Sequence, residues 1–425
     1  MTTSATTTAA TGSASPMTES EAESHIVGTC FKTGPPGALG VELEWLVHDG
    51  HDQHAPVPPA RLDGVVSSAR SLALRGAITT EPGGQLELSS APAPSLGACL
   101  DQVGGDLERL RALASAFGLR LSGVGLDPVR EPNRLTTEPR YAAMERHFDR
   151  GGPDGRVMMC STAAVQVCLE AGEEYGAAGG AGSAEIRWLA LHGLGPVLVA
   201  AFANSPLHRG RPTGWRSTRL AVWWRIDPSR TRPPASGTDP RESWARYALD
   251  ANVLAVRGDG RWDTPDGLTF RDWLRGYGPR PATCADLDYH LTTLFPPIRP
   301  RGFLEVRFVD AQPAGGWAVV AAVTSALVDD PLALDIVLDA TAPVRGRWLA
   351  AARHGLADPV LASVAETCFQ AALPALGRLG VAESVRRQVA DYADRYVSAR
   401  RCPADDVLDA WSYGHVLIGE DIAPC

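Results

Sequence analysis

The chain has 425 residues, 44% of them hydrophobic, and a formal net charge of -9. That is ample apolar material for a buried core, and the charge, with no basic arm, argues against a nucleic-acid binder, because phosphate backbones are held by clustered positive charge. Lys32 is the single lysine among 40 basic residues, so a P-loop lysine is missing, Schiff-base chemistry has one residue to draw on, and any phosphate falls to arginine and metal.

In chain order, residues 1–24 are mostly Thr, Ser, Ala and Glu and read as a disordered tail, with residues 25–425 as one catalytic domain. No charged segment followed by an apolar run indicates secretion. The stretch Gly40-Val41-Glu42-Leu43-Glu44-Trp45 alternates, so a strand there puts Glu42 and Glu44 on one face and Val41, Leu43 and Trp45 on the other. His48, His51 and His54 follow in a polar Asp-Gly segment that reads as a solvated turn. A second acidic strand follows the turn Glu81-Pro82-Gly83-Gly84, with Gln85 and Glu87 on one face and Leu86 and Leu88 on the other.

Leu96, Leu100, Val103, Leu107, Leu110 and Leu113 keep helical spacing behind Ser95, a natural cap. Ser122 to Leu126 reads as a strand, Thr137 to Arg140 opens a helix, and Arg156 to Glu170 reads as a buried strand in which Thr162 and Gln166 share a parity. Residues 171–183 read as a loop and Ala184 to Ala203 as an apolar helix, whose longest apolar run, Trp188 to Ala203, is too short and too broken by His192, Gly193, Gly195 and Pro196 to span a membrane. Phe303 to Asp310 is another alternating strand, with Glu305 and Arg307 on one face and Phe303, Val306 and Phe308 available for packing. Everything from Gly315 reads as helix, punctuated at Asp330-Pro331, Asp358-Pro359 and Cys402-Pro403.

Strands carrying acids, separated by helices and ending in a helical region over 316–425, indicate an α+β fold with a mostly antiparallel sheet. The eight cysteines have no C-x-x-C pair, which suits reduced thiols in a cytoplasmic protein. Neither Gly123-Val124-Gly125 nor Gly193-Leu194-Gly195 has the third glycine of a dinucleotide fold. There is no G-x-S-x-G elbow and no H-E-x-x-H.

If Glu42, Glu44, Glu81, Glu87 and Glu305 converge on one sheet face, only cations make the arrangement tolerable. Hard oxygen ligands suit Mg²⁺, and two or more such ions suit a polyphosphate such as ATP. Arg216, Arg219 and Arg307 can hold a phosphate or carboxylate in two-point fashion, with Trp215 and the Trp223-Trp224 pair as core or base-stacking residues. The competing readings are ion pairs for each arginine and exposed faces for the acids.

Taken in order, Val41-Glu42-Leu43-Glu44, Glu81-Pro82-Gly83-Gly84-Gln85-Leu86-Glu87-Leu88-Ser89, Met158-Met159-Cys160-Ser161-Thr162, Ala203-Asn204-Ser205-Pro206, Trp215-Arg216-Ser217 and Leu304-Glu305-Val306-Arg307 resemble glutamate-cysteine ligase. The likeness is to the plant-like branch, and within it to the bacterial enzymes that open ergothioneine biosynthesis. It implies a fold similar to the glutamine synthetase catalytic domain, an antiparallel sheet forming a funnel. It implies joining of the γ-carboxylate of L-glutamate to the amine of L-cysteine, with ATP consumed through a γ-glutamyl phosphate. On this chain it makes Glu42, Glu44, Glu81, Glu87 and Glu305 the Mg²⁺ ligands. Glu87, Arg219 and Arg307 would serve catalysis, and Gln85, Gln166, Trp215, Arg216 and Arg219 would bind substrate or ATP.

Two places depart from the plant-like pattern: Ala163-Ala164 where Cys-Thr is usual, and Phe308-Val309-Asp310 where Gly-Ala-Asp is usual. Both bear on the amine acceptor. A ligase of the same fold with another acceptor, and a non-catalytic nucleotide- or metal-binding protein, remain the alternatives. Oligomeric state leaves no mark on the sequence.

Overall fold

The computed structural model describes residues 17–34, 37–174, 182–235 and 239–416. Its strands are β1 (Leu39–Asp49), β2 (Ala77–Thr80), β3 (Leu86–Ser89), β4 (Leu119–Ser122), β5 (Ala164–Glu170), β6 (Leu207–His208), β7 (Arg211–Pro212), β8 (Ile298–Pro300) and β9 (Phe303–Asp310). Seven form one sheet in the order β2-β3-β1-β5-β9-β8, with β4 on the far end of β1, while β6 and β7 form a separate ribbon. Every pairing between named strands is antiparallel, as the α+β reading expected.

Strand alternation sets the two faces. Val41, Leu43 and Trp45 of β1, Val165 and Val167 of β5, and Val306 and Phe308 of β9 enter one apolar core with the helices behind the sheet. Each such side chain contributes about 1.5–3 kcal/mol by leaving water. Glu42, Glu44, Gln166, Glu305 and Arg307 have the opposite parity and face the other way. Phe303 shares parity with Glu305 rather than with Val306, and it stays half-buried outside that core.

The helix Leu96–Ala116 starts at Ser95, whose Oγ accepts from the Ala98 N–H. Asp330 and Asp358 cap Pro331–Ala340 and Pro359–Arg378, and Cys402 caps Pro403–Ser412, so all three Xaa-Pro punctuation marks are helix starts. Two helices, Ala184–Phe202 and Pro359–Arg378, are long and apolar enough to cross a membrane by length and composition. The first buries 72% of its most apolar window within this chain, the pattern of a core helix.

Four expectations are corrected. Glu19–Cys30 is a helix with a Thr18–Glu21 capping box, not part of a disordered tail. Its buried residues Ala22, Ile26 and Cys30 are spaced by four, which is too sparse a stripe to stand out in a Ser- and Glu-rich segment. Residues 1–16 lie outside the described range. Arg156 to Glu170 is not one strand: Asp154–Ser161 is helix and β5 begins only at Ala164, because a short apolar run carries no periodicity that separates the two.

The strand expected at Ser122 to Leu126 ends at Ser122. Beyond it the chain crosses under the end of β9, and a Cβ at Gly123 would stand 2.1 Å from the Gln312 carbonyl oxygen. The histidine segment is not uniformly solvated either. His48 closes β1 and is buried, with its ring against the Gln53 carbonyl, while His51 and His54 are exposed.

Candidate active site

The acids meet because of strand register. On β1 and β3, Glu44 stands directly opposite Glu87, and Glu42 opposite Ser89. On the other side of β1, Glu42 pairs with Gln166 of β5, and β5 in turn sets Cys168 opposite Glu305 of β9. Like charges face to face on paired strands are destabilising, so nothing in the packing explains Glu44 against Glu87.

The turn Glu81–Gln85 supplies the next acid. Gln85 is buried and its amide is fully committed to backbone: Oε1 accepts from the Gly83 N–H at 2.9 Å, and Nε2 donates to Met159 O and Thr162 O at 3.3 and 2.9 Å. It therefore clamps the turn to the Met158-Met159 helix, and it does so from the lining of the cleft described next. Gly83 allows the contact, since a Cβ there would stand 2.1 Å from Cys160 O.

Glu42, Glu44, Glu81, Glu87, Gln166 and Arg307 all line one open cleft of about 640 Å³. A polar relay runs along its floor. Gln166 Nε2 donates to Glu44 at 2.8 Å, and Arg307 Nη1 donates to Gln166 Oε1 at 2.7 Å. Burial, then Glu305 and Glu87, push Glu42 up to about 7. Burial, then Glu87, push Glu44 up to about 7, and burial, then Glu87 and Glu44, push Glu81 up to about 8. Carboxylates this reluctant to ionise together form a site that favours cations.

Glu305 reaches the same face but is claimed by arginines. Arg299, its partner across β8 and β9, binds it in two-point fashion at 2.6 and 3.1 Å, Arg307 approaches to 3.0 Å, and Arg301 to 3.5 Å. Burial works against its charge, but Arg299 and Arg307 outweigh that and hold its carboxyl well below the usual range. So four of the five predicted ligands present carboxylates to the cleft, and the fifth is ion-paired beside them. A smaller pocket shares Glu42 with Cys168 and Phe303, and there Glu42, Cys168 and Glu305 have donor atoms within 4.8 Å of one another.

Of the predicted arginines, Arg307 lines the cleft. Arg219 sits one layer behind: its Nη2 donates to Arg307 O at 3.0 Å, it stacks over Trp223, and its Nε has no partner. Arg216 and Trp215 are not in the lining of this cleft. Arg216 Nε donates to Asp405 of the C-terminal helix at 2.7 Å, and Trp215 carries Arg353 over its ring, so both fasten the helical region to the sheet.

The Asn204-Ser205-Pro206 and Ser217 motifs also serve the scaffold. Asn204 N–H, Ser205 Oγ and Ser217 Oγ all donate to the buried Asp310 that ends β9. Sequence reasoning missed Arg299, Arg301, Arg140, Tyr141 and Tyr289, which also line the cleft. Arg299 had a signal: it lies just before the Arg301-Gly302 turn into β9, with Gly302 at φ 80°.

The raised acids fix a pH dependence. A carboxyl whose folded pKa is raised binds its proton more tightly in the folded state, so stability falls as pH rises from the unfolded pKa toward the folded one, by on the order of 3 kcal/mol for a single group moved this far. Burial lowers His48 and His192 to about 4 and His290 to about 3, which adds stability as pH rises toward 6.5. Below pH 6.5 the two sets oppose each other; above it only the glutamates act. The protein should therefore lose thermal stability between pH 6.5 and 8. A melting temperature flat across that window would refute this account.

Comparison with known proteins gives the same answer as the residues. The profile of glutamate-cysteine ligase family 2 (GCS2) matches residues 38–421. The chain is 39% identical over 400 residues to the glutamate–cysteine ligase EgtA of Mycobacterium tuberculosis, covering 92% of this chain and 90% of that one. It is 32% identical over 304 residues to the chloroplastic glutamate–cysteine ligase of Medicago truncatula, 69% of this chain and 57% of that one. Among solved structures, the Francisella tularensis glutamate–cysteine ligase in complex with AMP superposes with a TM-score of 0.54 at 14% identity, over 91% of this chain and 86% of that one, which shows a shared fold. With the family matched along nearly the whole described chain and its acids gathered around one cleft, this protein belongs to glutamate-cysteine ligase family 2.

Proposed function

We propose that this ligase makes γ-glutamylcysteine from L-glutamate, L-cysteine and ATP at the acidic cleft, with Mg²⁺ held by Glu42, Glu44, Glu81 and Glu87. The observation that carries the reading is Glu44 facing Glu87 in strand register inside a cleft that also holds Glu42 and Glu81. All-oxygen donors of this kind suit Mg²⁺. Bound Mg²⁺ supplies charge neutralisation to a polyphosphate and polarises its terminal phosphoryl group. The EgtA relatives support a place at the opening of ergothioneine biosynthesis, and the seven free thiols among the described residues suit a cytoplasmic setting.

The chain's own residues supply positioning. Glutamate's γ-carboxylate attacks the terminal phosphorus of ATP, ADP leaves, and the cysteine amine then displaces phosphate from the acyl carbon. No protein nucleophile is needed. Arg307, steered by Gln166 and Glu305, presents a guanidinium to the phosphoryl or carboxylate oxygens on which charge builds. Met144, Met158, Met159, Trp223 and Phe295 give the cleft an apolar side beside its acids.

The two departures from the plant-like pattern fall away from the cleft lining. Ala163 and Ala164 are fully buried, and Phe308, Val309 and Asp310 are buried too. They therefore do not argue against cysteine as acceptor. ADP release with glutamate and a panel of amino acids tests this: cysteine should be turned over far faster than alanine, and equal rates would reject the assignment. Arg307→Lys should cut kcat roughly tenfold to a hundredfold, because an ammonium cannot hold Gln166, Glu305 and a substrate oxygen in one plane. Unchanged kinetics would make Arg307 structural.

A further inference from the structure

Away from the cleft, the helix Glu19–Cys30 meets the helix Cys284–Leu291, and three donor side chains gather at their contact. His25 Nε2 stands 2.6 Å from Asp288 Oδ1. Cys284 Sγ stands 3.5 Å from Nδ1 and 3.6 Å from Nε2 of the same ring. Cys284 and Asp288 are four residues apart on one helix and so share a face, while His25 arrives from the far end of the chain.

We propose that His25, Cys284 and Asp288 form a surface site for a borderline-soft divalent cation of the Zn²⁺ class, with the remaining coordination position left to water. The donor set decides the class. Thiolate and imidazole select zinc-like ions, whereas the all-oxygen cleft suits Mg²⁺. Tetrahedral Zn²⁺ sits on the lone pair of one ring nitrogen and sets sulfur about 3.5 Å from that nitrogen; Sγ, nearly equidistant from both nitrogens, packs beside the ring, so ion binding requires Cys284, exposed at the start of its helix, to change rotamer. The His25–Asp288 contact is a hydrogen bond, shorter than the roughly 3.4 Å nitrogen–oxygen edge of the same tetrahedron. Asp288 is 54% exposed and can swing outward by under about 1 Å to reach it.

Burial and Asp288 raise the Cys284 thiol above its usual value, so binding displaces a proton and tightens as pH rises. The helix that carries Cys284 also carries Tyr289, whose side chain lines the cleft. A bound ion would pin the N-terminal helix to that wall.

The test is Co²⁺ titration of the full-length protein in saturating Mg²⁺. A thiolate-to-cobalt charge-transfer band is expected at one equivalent per chain, displaced by Zn²⁺. It should vanish in Cys284→Ser and weaken at least about tenfold in His25→Gln and in Asp288→Asn, since even residues behind a metal ligand cost that much. It should persist in Cys168→Ser, the control for the thiol beside Glu42 and Glu305. Zn²⁺ should raise the melting temperature of the parent protein and not that of Cys284→Ser. No band, a band that survives Cys284→Ser, a band lost in Cys168→Ser, or full affinity in Asp288→Asn would each overturn the proposal.

Discussion

Glu87→Gln is expected to cut turnover by about 10²–10³-fold while leaving the melting temperature of the metal-free protein unchanged or raised. Glu87 faces Glu44 across β1 and β3 and is the charge that, after burial, does most to keep Glu44 and Glu81 protonated. Glutamine keeps the shape, and its amide can still meet Ser89 Oγ, now 2.8 Å from Glu87. Removing the charge relieves repulsion in the empty cleft, which favours the fold. On the proposed reading the same change removes a hard anionic ligand, so the Mg²⁺ concentration needed for half-maximal rate should rise. Stability and activity then move in opposite directions, which a structural glutamate cannot do. Assaying ADP release against Mg²⁺ concentration alongside thermal melts reads both. A melting temperature lowered in proportion to the lost activity would defeat the ligand role.

Arg299→Ala should be the most destabilising single change near the site, by about 3–5 kcal/mol. Glu305 is fully buried and Arg299 nearly so, and the two share a two-point pair. Arg299 also donates to Leu294 O at 3.1 Å, holding the approach to β8. Truncation strands a carboxylate in a place that water reaches poorly, and the remaining contacts from Arg301 and Arg307 cover it only in part. The double change Arg299→Ala with Glu305→Gln should recover part of the loss, because the stranded charge is gone.

The pair also has an acid limit. Glu305 is held below its unfolded pKa, so its contribution is present above about pH 4.5 and is lost as pH falls further. Urea unfolding of the two single variants and the double measures the coupling. Equal midpoints for Arg299→Ala and the parent would show that the pair does not hold the sheet edge.

How far the site was legible depends on the range of each interaction. The faces of β1, β3 and β9 were readable because side-chain direction alternates with period two, a local property. Glu42, Glu44, Glu87 and Arg307 could therefore be grouped before any partner strand was known. The helix starts at Ser95, Asp330 and Asp358 were readable for the same reason, since a cap reaches only two or three residues. The bracing hydrogen bonds of Gln85 were not readable because its partners, Met159 and Thr162, lie more than seventy residues on. The Arg216 ion pair was not readable because Asp405 lies 189 residues away.

The order of residues alone was enough to show which side chains share a face, where helices begin, that a P-loop lysine is missing, and to which family the motifs point. The folded chain was needed to show that Glu44 faces Glu87, that Glu305 is bound by three arginines, and that Arg216 pairs with Asp405 of the helical region. The division follows from physics. Periodicity and capping are written in neighbouring residues, whereas strand register and ion-pair choice are settled by packing among segments whose order along the chain says nothing about their distance in space.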